Sequence, residues 1–201
     1  ALMNFVPSKR QGIVVVGDAD PENIDVVMNI DHLDDVVVIG DGWSGLPLDV
    51  SVVDMLPLPE RATLFAGAKL LVELPTSLTH QSEVRRSFLE LGLSNSVYEA
   101  AVVGTPSLVQ ARAAVEHVLV PGEEIITFQS PDDLAHLVPV LIADKQEMEK
   151  IGEAAWSRVT ADHTWAQRWR SFFEPWVGAV DAGRDEEVRY LGKFETLSRA
   201  G

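Results

Sequence analysis

The feature that most constrains this chain is a pair of continuous β-branched runs, each stopped by glycine: Ile13-Val14-Val15-Val16 before Gly17, and Asp35-Val36-Val37-Val38-Ile39 before Gly40. A strand with one face in water alternates apolar and polar residues. An unbroken apolar run buries both faces, as in a parallel sheet covered by helices on both sides. Lys69–Leu74, closed by Pro75, reads as another such strand, Val50–Met55 as a weaker one and Ser107–Gln110 as a fifth. Val118–Val120 and Glu124–Phe128, around the turn Pro121-Gly122, are expected to add short strands. Helical stretches fall between them. Pro21 suits a first helical turn and precedes Ile24, Val27 and Met28 at helical spacing. Pro59–Ala68, Ser82–Leu91 and Ser96–Val103 follow, the last ended by Gly104-Thr105-Pro106. This alternation predicts an α/β fold, a Rossmann-like parallel sheet of about five or six strands followed by C-terminal helices. Such sheets bind ligands outside the carboxyl ends of their strands, so the loops after Val16, Ile39, Leu74 and Gln110 are the places to look for a site.

The last third of the chain is helical in pattern. Leu134, Leu137, Val138 and Leu141 mark one amphipathic helix, and Met148, Ile151, Ala155 and Val159 a second. Trp165, Trp169, Phe172, Phe173 and Trp176 form an aromatic stripe, expected to pack into the core, with a partner-binding face as the lesser reading. Residues 1–180 read as a single domain and Asp181–Gly201 as a charged C-terminal extension.

The formal net charge of −15 opposes phosphate backbones and anionic lipid, so neither nucleic acid nor membrane is an expected partner. No apolar run approaches the ~20 residues of a membrane span. The N-terminus lacks the basic leader and apolar stretch of a signal peptide. The absence of cysteine removes disulfides, thiol catalysis and thiolate metal sites, and fits a reducing, cytoplasmic setting.

Val97-Tyr98-Glu99-Ala100-Ala101-Val102-Val103-Gly104-Thr105-Pro106 resembles the EA-x-x-x-G-x-P signature of GT-B glycosyltransferases. Pro121-Gly122-Glu123-Glu124-Ile125, Ser130-Pro131-Asp132-Asp133-Leu134 and His163-Thr164-Trp165-Ala166-Gln167-Arg168 follow in an order similar to the C-terminal domain of CgeB-like members. The resemblance covers roughly residues 12 to 175 and implies the nucleotide-sugar-binding half of a two-domain fold. It also implies that Glu99 holds the ribose hydroxyls and that the helix containing Asn95 and Ser96 turns its N-terminal amides toward a diphosphate. Gly17, at a strand end, and Gly104 complete the expected cofactor-binding set. Physical chemistry agrees on two points. Unpaired N–H groups and the helix dipole favour an anion at a helix start, and a carboxylate can accept two hydrogen bonds from a diol. The residues alone favour another reading, which only the succession of motifs brings level: Ser96-Val97-Tyr98-Glu99 is a capping box, with Ser96 as the cap and Glu99 reaching back, and Gly104 a helix C-cap.

The chain departs from the family pattern in places. Leu91 stands where many members carry a second acidic residue, and Asp18-Ala19-Asp20 where a basic residue usually reaches for phosphate. Asp18, Asp20 and Asp41 could gather around Mg²⁺, but aspartate is common where strands give way to helices, and no protein-held metal is expected. The five histidines show no metal-ligand spacing; His163 is expected to cap or orient the last helix. The chain starts too close to its first strand to hold an acceptor-binding domain. It therefore reads as a fragment, as one subunit of a split enzyme, or as a former transferase domain now used for binding. The leading expectation is a donor-binding half that needs an acceptor domain from elsewhere and no cofactor besides its nucleotide-sugar substrate. The alternative is a non-catalytic interaction subunit, as in a virion or surface assembly. A flavodoxin-like or response-regulator-like domain is a third option that the C-terminal part does not fit.

Overall fold

A computed structural model of the chain describes residues 12–30, 35–53, 56–74 and 92–174. The chain divides into two compact units after Thr160. Among its described residues the first holds six strands: β1 (Ile13–Val16), β2 (Val36–Ile39), β3 (Ser51–Val53), β4 (Leu70–Glu73), β5 (Ser107–Gln110) and β6 (Ile126–Phe128). They form one sheet in the order β3-β2-β1-β4-β5-β6, with every pairing parallel. Its helices are α1 (Pro21–Met28), α2 (Leu58–Gly67), α3 (Asn95–Val102), the single turn α4 (Ala113–Glu116), α5 (Pro131–Ala143) and α6 (Lys145–Asp162), whose last two residues fall in the second unit. The strand order is that of a doubly wound α/β sheet, which reverses direction between β1 and β4.

The period of two along each strand sends alternate residues to opposite faces. Ile13, Val15, Val36, Val38, Leu70, Val72 and Leu108 build one core with Val26 and Val27 of α1, Leu134 and Val138 of α5, and Met148 and Ile151 of α6. Val14, Ile39, Leu71 and Val109 build the other, with Phe65 of α2, Val97, Ala100 and Ala101 of α3, and Ala155 and Val159 of α6. Helix α6 thus begins on one face and ends on the other. It crosses at Gly152, where a Cβ would lie 2.2 Å from the Gly104 carbonyl oxygen.

Several local expectations need correction. Val118–Val120 is not a strand. Leu119 instead folds back on α4 through its amide bond to the Val115 carbonyl (2.9 Å), a helical turn too short to show periodicity. Ser94, not Ser96, is the N-cap of α3, which removes the capping box expected at Ser96 and Glu99. The expected helix Ser82–Leu91 lies outside the described residues.

In the second unit, residues 165–174 form helix α7. Its cap is Thr164, not His163. The Thr164 hydroxyl accepts from the Gln167 amide at 3.4 Å, and the Gln167 side-chain carbonyl accepts from the Thr164 amide at 2.8 Å, a reciprocal capping box. The aromatic stripe is not core: Trp165, Trp169, Phe172 and Phe173 are each at least half exposed. The rings pack on one another, Trp169 stacking on Phe173 with centroids 5.5 Å apart and meeting Phe172 edge-on at 6.3 Å. Trp176 lies outside the described residues.

Candidate functional site

The carboxyl edge of the sheet is built first by two loops that knit together. After β1, the Gly17 amide bonds the Ile39 carbonyl (3.0 Å), the Ala19 amide bonds the Asp41 carbonyl (2.8 Å), and the Asp18 carboxylate accepts from the Asp41 amide (3.0 Å). Gly40 packs so closely that a Cβ there would lie 2.0 Å from the Gly17 oxygen, at a φ of 151°. Only glycine is compatible with that approach. The same Gly17 oxygen accepts from the indole of buried Trp43 at 2.7 Å. Asp20 caps α1 by accepting from the Asn23 amide at 3.0 Å. Asp18 and Asp20 are therefore engaged with backbone amides in turn and cap roles, and among the described residues no three acidic or histidine side chains gather to hold a metal.

The second part is the pairing of β1 with β4, where the strand order reverses. Glu73 ends β4 opposite Val16 and is 93% buried. One of its oxygens accepts from the Ser94 amide at 3.1 Å and the other from Arg112 Nη2 at 2.6 Å. Arg112 also donates to the Gly92 carbonyl at 3.1 Å and the Gln110 carbonyl at 3.3 Å. One buried ion pair thus joins the ends of β4 and β5 to the segment that enters α3.

Helix α3 begins at this edge, with Asn95 exposed and Ser96 partly buried. Its Ser94 cap makes no side-chain cap bond, so the first turn relies on other partners for its amides. Glu99, in the second turn, faces α2. Arg61 Nε and Nη2 grip its two carboxylate oxygens at 2.5 and 2.7 Å, and Arg61 Nη1 reaches the Leu56 carbonyl at 3.3 Å. Neither Arg61 nor Arg112 lies in the signature, so no sequence signal marks them; only the fold brings them to the edge.

The five expected residues therefore separate. Asn95, Ser96 and Glu99 share the first two turns of α3, and Gly17 sits at the adjoining end of β1. Gly104 follows the last turn of α3, at the amino end of β5. There it adopts φ 72° and donates to the Ala101 carbonyl at 2.9 Å, a C-terminal stop that also seats α6. A shallow cavity of about 340 Å³ lies elsewhere, between α2 and the amino ends of β1 and β2, lined by Ile13, Val37, Leu64 and Ala68.

The sequence profile of the glycosyl transferase-like family matches residues 24–174. The chain belongs to that family. No curated protein matches it in sequence. In structure this glycosyl transferase-like chain is similar to the C-terminal domain of a glycosyl transferase group 1 family protein (LpcC) from Francisella tularensis. The two are 18% identical with a TM-score of 0.57, over 80% of this chain and 89% of that one. It is also similar to sucrose-phosphate synthase from Thermosynechococcus elongatus (17% identity, TM-score 0.64, 88% of this chain and 47% of that). A third likeness is to Anabaena HepE in complex with UDP and glucose (13% identity, TM-score 0.61, 85% and 49%). The chain spans about half the length of the latter two. Its fold is that of the C-terminal half of a GT-B glycosyltransferase. Among the described residues no helix is long and apolar enough to cross a membrane.

Proposed function

We propose that this domain is the donor-binding half of a CgeB-like glycosyltransferase, holding a nucleoside diphosphate sugar at the carboxyl edge of its sheet and working with an acceptor-binding partner domain in the cytoplasm. The observation that carries the reading is the placement of α3. Its amino end lies at the strand-order reversal, with Asn95 and Ser96 in the first turn and Glu99 one turn further in. In that arrangement the N-terminal amides meet the diphosphate and Glu99 accepts from the ribose. Fixed dipoles there would also stabilise charge on the departing diphosphate, which is this half's contribution to rate.

A second reading has its own support. Asp18, Asp41, Glu73 and Glu99 bring carboxylates to the edge, and both arginines described there are bonded to glutamates. An acidic edge disfavours a diphosphate and favours a domain that keeps the fold for protein docking. Calorimetric titration with UDP, GDP and ADP separates the two. Saturable binding of one diphosphate, lost in Glu99→Ala, is expected for a donor site. A folded protein that binds none of the three would eliminate it in favour of docking.

A further inference from the structure

We propose that Arg61 is a positioning residue of the ribose subsite, fixing the orientation of the Glu99 carboxylate and restricting it to one hydroxyl. The inference rests on the reading of Glu99 as the ribose carboxylate and adds a residue from a different helix, outside the signature.

The argument starts from acceptor geometry. A carboxylate offers about four acceptor positions, two on each oxygen. The Arg61 fork takes one on each oxygen, on the side the two oxygens share. The position left on each oxygen points outward, away from the other. A ribose diol cannot span both outward positions, so it meets a single oxygen of Glu99.

Breaking the pair to free the whole carboxylate is not a realistic alternative. The side chains of Arg61 and Glu99 are only 19% and 20% exposed, so separating them would strand two mostly buried charges. A neutral diol offers too little in return. Arg61 is itself held, through Nη1, by the Leu56 carbonyl at the entry to α2. The guanidinium is therefore a fixed mount, and Glu99 keeps its orientation with or without ligand.

The test compares binding of UDP with that of 2′,3′-dideoxy-UDP in the wild-type chain, Glu99→Gln, Arg61→Met and Arg61→Lys, with folding checked by circular dichroism. The wild type is expected to prefer UDP by about tenfold or more, the worth of a hydrogen bond to a charged acceptor. Glu99→Gln and Arg61→Met should both lose that preference, while affinity for the dideoxy compound stays the same. Constant dideoxy affinity is what a merely structural role for Arg61 would not give. If Arg61→Met does not fold, Arg61→Lys carries the test, because it keeps the charge but not the fork and should lower the preference. The 2′-deoxy and 3′-deoxy diphosphates should differ, only one of them losing affinity. If Glu99→Gln loses the preference and the folded Arg61 variants keep it, the inference about Arg61 is wrong and the ribose reading stands. If Glu99→Gln keeps it, or the wild type shows none, the ribose reading fails and this inference with it.

Discussion

Replacing Gly152 by alanine should destabilise the fold although the change is made inside a helix. In an ordinary helix interior this substitution gains about 1 kcal/mol. Here the new Cβ would lie 2.2 Å from the Gly104 oxygen, 3.1 Å from its carbonyl carbon and 3.3 Å from Pro106 Cδ. The closest of these atoms belong to backbone held on both sides, so no flexible side chain can move aside. Opening the contact to about 3.4 Å means shifting α6 by more than an ångström from a turn it packs against. Met148, Ile151, Ala155 and Val159 of that helix are all buried. Overpacking a close contact costs about 1–3 kcal/mol, occasionally more. With the helix gain set against a cost at or beyond the upper end of that range, the expected net loss is about 2 kcal/mol. For a domain of this size that corresponds to a fall in Tm of roughly 4–8 °C. Urea and thermal unfolding followed by circular dichroism would measure it. Gly67→Ala is the matched control: Gly67 closes α2 with nothing within 4 Å of its added Cβ, so that variant should be neutral or gain up to about 1 kcal/mol. A Gly152→Ala protein as stable as its parent would refute the close-approach argument. Equal losses in both variants would point to a general need for glycine flexibility instead.

Three further outcomes are expected. Arg112→Met leaves the 93% buried Glu73 without its cation and should cost about 3–5 kcal/mol in urea unfolding, while Glu73→Gln strands the more exposed Arg112, which still donates to the Gly92 and Gln110 carbonyls, and should cost less. Asp20→Ala removes the α1 cap and should cost about 1 kcal/mol in the same assay, with Asp20→Asn close to the parent. Trp43→Phe leaves the Gly17 carbonyl without its indole donor and should lower stability by about 1–3 kcal/mol, with loss of a buried fluorophore in the emission spectrum; an unchanged melting curve would count against that bond.

The strands were legible because burial on both faces leaves a mark that no surface element leaves: Ile13–Val16 and Val36–Ile39 are apolar throughout and end at glycines the backbone needs. The carboxyl edge as the place to look for a site followed from the alternation of strands and helices. The candidate site itself was only half legible. Glu99 stands out in its signature, but its partner Arg61 lies on another helix and is joined to it only by the packing of α2 beside α3. A local pattern misled at Ser96, where a capping box could be read although α3 starts at Ser94, whose amide is held by distant Glu73. The stripe on α7 shows the opposite limit: helical spacing of aromatic rings gives the face they share and not what covers it.

The pairing of β1 with β4 has a thermodynamic consequence. Among the described strands every contact is parallel and none is a hairpin. Ile13 meets Leu70 across the longest stretch of intervening chain, against Ile13 with Val36, Leu71 with Ser107, Val37 with Ser51 and Leu108 with Ile126. That pairing is the seam between a half built of β3, β2 and β1 and a half built of β4, β5 and β6, and it closes the largest loop. The Gly17 turn stands on one side of the seam; Glu73 and the start of α3 stand on the other. A molecule seated across it would staple the two halves together, so its affinity would be readable as a concentration-dependent rise in melting temperature, without any assay of transfer.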